Sequence, residues 1–157
     1  MQDAATDPGQ QARRSWMAVL ARASAAELED ALAECGERPE YRRLRGPEPG
    51  LVMVRGRIGG GGGAFNLGEM TVTRCTVRLA DGAVGHAYVA GRDERQAELA
   101  ALCDAVLQGG RPAGALHAAV ERLQAAQQAQ RDAVAAKAAA TRVQFFAMET
   151  WRGGPGA

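Results

Sequence analysis

Apolar and polar residues alternate with two different periods along this chain, and the switches between them mark its elements. In RRSWMAVLARA, Trp16, Met17, Val19 and Leu20 recur at helical spacing. Ser24 opens SAAE, where the serine oxygen and Glu27 can satisfy free amides as a capping box. The following AAELEDALAEC carries Leu28 and Leu32 on one face and ends at Gly36, which suits the left-handed position after a helix. The period then changes. YRRLRGPEPGLVMVRGRI reads as strand, turn, strand, with GPEPG as the break. MTVTRCTVRL alternates with period two, Asp81-Gly82 gives a two-residue hairpin signal, and VGHAYVA returns as the next strand. Helical spacing resumes in RDERQAELAALCDAVLQ, with Asp93 as N-cap, Leu99, Leu102, Cys103 and Val106 as its stripe, and Gly109-Gly110 as its stop.

The last pattern thins out. Leu116, Val120, Leu123 and Val134 are spread along Ala and Gln, which favour a helix by propensity but bury little. RVQFFAMETW then gathers Phe145, Phe146, Met148 and Trp151. The expectation is a single α+β domain over residues 11–151, an antiparallel β-meander packed against helices. A long helix at about 115–142 extends from it toward a partner. Residues 1–10 and 152–157 are expected to be disordered. The aromatic cluster is a candidate partner interface, since aromatic and Met side chains anchor interfaces. Docking on the chain's own core is the other reading.

Composition sharpens this picture. Hydrophobic residues make up 46%, but alanine is close to half of them and aromatics only 4%, so the core of large side chains is thin for 157 residues. A formal net charge of +1, from nineteen basic and eighteen acidic residues, argues against nucleic-acid binding driven by bulk charge. Three separated cysteines, Cys35, Cys75 and Cys103, form neither a CxxC pair nor a disulfide framework. The start has no signal-peptide pattern, and no apolar run is long enough to span a membrane. The expectation is a soluble, reduced, cytoplasmic chain.

The candidate chemistry lies in glycines and arginines. GRIGGGGGAF places Gly59, Gly60, Gly61, Gly62 and Gly63 between two strands. A phosphate-binding P-loop needs a following Lys and a helix, and a dinucleotide loop needs a βαβ unit; neither is here. Two readings stay open for the glycines, a flexible strand connection and an anion-binding nest of amides. If Asp81-Gly82 is a two-residue turn, Leu79 lies opposite Val84, Val77 opposite His86 and Cys75 opposite Tyr88 on an apolar face. Arg74 and Arg78 then share the other face with Thr76, Gly85 and Ala87. Guanidinium forks suit phosphate or phosphonate oxygens, and a solvated sheet face is the alternative. Arg92 stands at a strand-to-helix junction where amides could meet an anion, or where Asp93 simply caps the helix. His86 and His117 are isolated; no metal spacing, nucleophile triad or carboxylate pair is found, so no catalytic residue is assigned.

The ordered segments RRSWMAVLARASAAEL, GLVMVRGRIGGGGGAFNLGEMTVTRCTVRLADGAVGHAYVAGRDERQAE and TRVQFFAM closely resemble the PhnG family, one component of the bacterial carbon–phosphorus lyase core complex, over about residues 13–148. Gln96 stands where that family often has histidine, and Gln144 where an acidic residue is usual. The resemblance implies a core complex with subunits H, I and J, two copies of each, and a role in phosphonate breakdown. In the implied reaction a phosphonate oxygen displaces adenine from C1′ of MgATP, giving ribose 1-phosphonate 5-triphosphate. MgATP is then a substrate of the complex, and this chain binds no cofactor alone. Because those substrates are a triphosphate and a phosphonate, the expectation from the residues is that Arg74, Arg78 and Arg92, with the Gly59–Gly63 amides, lie at or near the shared active site. The competing reading pairs these arginines with carboxylates of a neighbouring subunit. A purely structural assembly protein is the competing expectation.

Overall fold

The computed structural model describes residues 7–36, 38–109 and 112–142. The elements are α1 (Pro8–Leu20), α2 (Ala25–Ala33), β1 (Tyr41–Arg57), β2 (Ala64–Leu79), β3 (Val84–Ala90), α3 (Glu94–Gln108) and α4 (Gly114–Ala140). The three strands form one antiparallel sheet in the order β1-β2-β3, an α+β meander with a long C-terminal helix, as the sequence patterning implied. Helix α3 lies on one face of the sheet, and α1, α2 and α4 pack around it on the far side.

Local chemistry explains the element ends. Helix α1 begins at Pro8, inside the stretch expected to be a lead-in, because Asp7 accepts a hydrogen bond from the Gly9 amide and proline is preorganised for the first turn. The capping box at Ser24 and Glu27 forms in full. Asp93 caps α3 through the Gln96 amide at 2.9 Å. The Gln96 side chain donates to the Ala23 carbonyl at 2.7 Å, tying the start of α3 to the α1–α2 turn.

Two sequence expectations are corrected. GPEPG does not break the chain into two strands: β1 runs through it, with register shifts between Arg43 and Arg45 and between Arg45 and Glu48. Strand β1 sits at the sheet edge, where prolines that cannot donate are tolerated, and bulges absorb the misfit. The β2–β3 turn has three residues rather than two. Leu79 pairs with Ala83, the Gly82 amide donates to the Leu79 carbonyl, and Gly82 takes φ +95°. Asp81 Oδ1 holds the Ala83 amide at 3.0 Å. This is a type I turn closed by a left-handed glycine. The register therefore moves by one residue, to Cys75–Ala87, Val77–Gly85 and Thr76–His86. A one-residue move exchanges the faces. Gly85, Ala87 and Val89 now face the core; His86 and Tyr88 join the arginines.

The core depends on a close helix–strand contact. Ala97 to Leu107 are buried all round α3, not along one stripe, because the helix is covered by the sheet and by three other helices. At Gly85 a Cβ would stand 2.0 Å from the Ala101 carbonyl oxygen and 2.5 Å from the Ala105 nitrogen, so only glycine lets α3 approach. Asp104, fully buried, fixes the contact. Its carboxylate accepts from Arg13 Nη2 at 2.7 Å, Trp16 Nε1 at 2.9 Å, the His86 amide at 2.9 Å and Gln108 Nε2 at 3.0 Å. One side chain thus joins α1, α3 and β3.

Helix α4 has 27 residues, and only Leu116, Ala119 and Val120 are buried. Its second half runs past the core. The candidate interface residues Phe145, Phe146, Met148 and Trp151 lie outside the described residues.

Asp104→Ala leaves the Arg13 charge and several donors without their acceptor. It should cost about 3–5 kcal/mol, read as a large drop in the urea midpoint. Gly85→Ala forces backbone apart at a packed contact and should cost roughly 3 kcal/mol by the same measurement, whereas Gly50→Ala, in open space, should not.

Candidate functional site

The sheet face away from α3 carries the chain's candidate binding chemistry. Even-numbered residues of β2 point to it, and their cross-strand neighbours follow from the register. Arg78 faces Arg42 on β1 and Val84 on β3; Thr76 faces Arg45 and His86; Arg74 faces Glu48 and Tyr88. Four arginines and one glutamate therefore share this face.

Their pairing is uneven. Glu48 accepts from Arg45 Nε at 2.5 Å and from Arg74 Nε at 2.8 Å. The Arg45 hydrogen bond, with Arg74 beside it, holds the Glu48 carboxyl below its ordinary range. Arg74 is pushed further up by the Tyr88 hydroxyl and by Glu48, so its charge is already engaged. His86 Nδ1 lies 3.1 Å from the Thr76 hydroxyl. Arg42 and Arg78 make no ion pair with any described residue, and they line a cleft of about 430 Å³ at the closed end of the sheet.

Arg43 turns the other way, toward α3. Its guanidinium grips Glu98 at 2.7 and 2.8 Å, and the Tyr41 hydroxyl donates to the same carboxylate at 2.8 Å. Arg43 is the main reason that Glu98 titrates below the ordinary 4.5, against the opposing effect of burial.

The sequence-selected residues fall in three places. Arg74 and Arg78 share the open face, about 13 Å apart along β2. Arg92 is exposed in the turn before α3, near Thr71, at the opposite end of the three-stranded part from Arg78. Gly59 to Gly63 form the tip of a two-stranded arm, roughly 35 Å beyond Arg74 along the strand. In that tip Gly59 takes φ +59°, and the Gly61 and Gly62 amides donate to the Ile58 carbonyl, so of the two readings left open the strand connection uses two amides that a nest would need. The chain therefore does not gather the glycines and the arginines into one constellation. Arg42, Arg45 and Glu48 were not selected from sequence; only the bulged register of β1 brings them opposite Arg78, Thr76 and Arg74.

The arm is the second notable surface. Strand β3 reaches only to the Val72–Ala90 pair, so beyond Gly50 and Val72 the strands β1 and β2 pair with each other alone. Leu51, Met53, Ile58 and Leu67 there are each more than half exposed, and Phe65 lays its ring over Gly56.

Reactive groups are few. Burial pushes the Cys75 thiol up to about 11 and the Cys103 thiol up to about 12, and it also raises Cys35, so none is a ready thiolate. Among the described residues no three His, Cys, Asp or Glu side chains could together hold a metal ion. No described helix is long and apolar enough to cross a membrane. The geometry offers oxyanion binding and protein contact.

Comparison with known proteins decides the family. The family described as phosphonate metabolism protein PhnG matches residues 11–153. The chain belongs to the PhnG family. It is also 48% identical, over 151 residues, to alpha-D-ribose 1-methylphosphonate 5-triphosphate synthase subunit PhnG of Rhizobium meliloti (strain 1021), covering 94% of this chain and 97% of that protein. In this PhnG-family chain the TRCTVRL segment is the central strand that presents Arg74 and Arg78. ADG is the three-residue turn, and GRD carries the exposed Arg92 and the helix cap.

The Glu98 pairing has a pH consequence. A carboxyl whose folded pKa is lowered adds stability above its unfolded pKa and loses it as pH falls through the folded value. The urea midpoint should fall as pH is lowered from about 5 to about 3, and Glu98→Gln should make that fall shallower. An unchanged acid limb in the variant would mean that Glu98 is not a major contributor.

Proposed function

We propose that this chain is a subunit of a ribose 1-methylphosphonate 5-triphosphate synthase complex and supplies binding surface rather than the reacting group. In the proposed reaction a phosphonate oxygen displaces adenine from MgATP to give ribose 1-phosphonate 5-triphosphate, a transferase chemistry. The other subunits would be the H, I and J components of the carbon–phosphorus lyase core in the cytoplasm, two copies of each. The 48% identical relative carries the name of that synthase, which supports the choice of complex.

The observation that carries the subunit role is the arm. A two-stranded ribbon buries too little to be stable alone in water, and this one holds large apolar side chains in solvent. Covering Leu51, Met53, Phe65 and Leu67, which the register spreads over both faces of the arm, by neighbouring subunits resolves both features. The thin second half of α4 has the same character, with Val134 exposed.

The chain is assigned no catalytic residue. Its described cysteines are held as thiols by burial, and its two fully or nearly buried carboxylates, Asp104 and Glu98, are saturated by structural donors. A role confined to assembly is the second reading; the uneven pairing of the arginine face favours contact with an anionic ligand over it.

Tagged chain recovered from its native host, grown on a phosphonate as sole phosphorus source, should bring the other synthase subunits in equal amounts. Met53→Asp with Leu67→Asp should reduce that recovery at least tenfold while circular dichroism stays unchanged, because charged groups resist burial without partners. Recovery of the wild-type chain as a stable monomer would remove the subunit reading.

A further inference from the structure

From the structure we infer that Arg42 and Arg78 form a binding site for a phosphoryl or phosphonyl group in the cleft between the start of β1 and the β2–β3 turn. The two residues are direct cross-strand partners. Their Cβ atoms start about 5 Å apart, and like charges so placed destabilise a sheet. The chain carries this opposition without relief. Arg13, Arg38, Arg43, Arg45, Arg74, Arg95 and Arg122 each hold a carboxylate. Arg42 and Arg78, like Arg14, Arg22, Arg55, Arg57, Arg92, Arg131 and Arg142, hold none among the described residues, but they alone of these are direct cross-strand partners.

The cleft beside the pair is where a ligand would meet both groups. The cleft, about 430 Å³, is an open one lined by Glu40, Tyr41, Leu79, Ala80 and Gly82 together with the two arginines. Arg78 reaches the turn, with Nη2 3.8 Å from where a Gly82 Cβ would be, an ordinary contact distance; the glycine itself is required by its φ of +95°. Glu40 is the one carboxylate in the lining, and its backbone carbonyl is taken by the Ala80 amide; its carboxylate makes no ion pair with either arginine. Two guanidinium groups lining one cleft match the several oxygens of a phosphoryl or phosphonyl group. Bound there, the dianion turns the repulsion into two charge-assisted contacts.

The assignment of such ligands rests on the proposed phosphonate-activating reaction, but the site itself can be tested without it. The full chain is titrated calorimetrically with tripolyphosphate and, separately, with methylphosphonate, using sulfate as a general-anion control. Binding should weaken about tenfold or more in Arg42→Gln and in Arg78→Gln, and the double variant should lose little beyond either single one, because one ligand uses both groups. Arg14→Gln, an equal charge change at an exposed arginine on α1, should leave binding unchanged. Preference for tripolyphosphate assigns the site to a polyphosphate tail; preference for methylphosphonate assigns it to the phosphonate. Without anion, Arg42→Gln should unfold at the same temperature or higher, as the cross-strand repulsion is gone.

Equal weakening by Arg14→Gln, or binding untouched by both site variants, overturns the site. So does loss of subunit recovery in Arg42→Gln with anion binding intact, which would make the pair a dock for a carboxylate of a neighbouring protein. If instead anion binding depends on both arginines while the chain recovers no synthase subunits, the site stands and the proposed complex falls.

Discussion

Asp104 is the constraint on which the rest of the fold depends. It is a carboxylate placed in the interior, where a charge is tolerated only when it is paired and its lone pairs are filled. Arg13, Trp16, Gln108 and the His86 amide fill them. These donors come from α1, α3 and β3, so the carboxylate is satisfied only when all three are in place. The Gly85 contact is the steric counterpart: with no Cβ, the strand lets α3 come close enough for Asp104 to reach the His86 amide. Gln108 adds a bond to the Val84 carbonyl at 3.0 Å. Side chains of α3 therefore occupy the Val84 carbonyl and the His86 amide at the start of β3.

The opposite edge is left to β1, which is long and bulged, with prolines and arginines along it. That placement explains the distribution of charge. Ordinary strand alternation turns Arg42 outward and Arg43 inward to Glu98, and the register shift between Arg43 and Arg45 turns Arg45 outward as well. Glu48 neutralises the middle of that face through Arg45 and Arg74. The end of the face keeps two opposed arginines and a cleft. A local arrangement that costs stability without relief inside the chain is the kind of departure that functional sites carry.

The arm and the arginine cleft stand at opposite ends of the same two strands. On the proposed readings this separates two surfaces, apolar contact along the ribbon beyond Val72 and anion binding at the end anchored by α3. The glycine tip belongs to the arm. Its positive-φ Gly59 and its internal amide bonds account for part of the run as turn chemistry. The rigid end of the sheet is the better place for a binding site, since its strands are braced by the core.

Much of the fold was legible in the sequence because its signals are local. The Ser24 capping box, the Asp93 cap, the period-two alternation of β2 and the Ala/Gln-rich α4 each depend on residues a few positions apart. So did the choice of Arg74 and Arg78 as outward residues, which needed only the β2 pleat. What the sequence could not settle was register. Asp81-Gly82 allows a two- or a three-residue turn, and the burial of Gly85 against α3 selected the latter, exchanging the faces of His86 and Tyr88. GPEPG looks like a break, yet an edge strand with bulges absorbs it, and that pairing alone sets Arg42 against Arg78. The sequence by itself determined the element types and the family. Tertiary packing decided which residues face one another, because cross-strand neighbours are fixed by long-range contacts that no local propensity encodes.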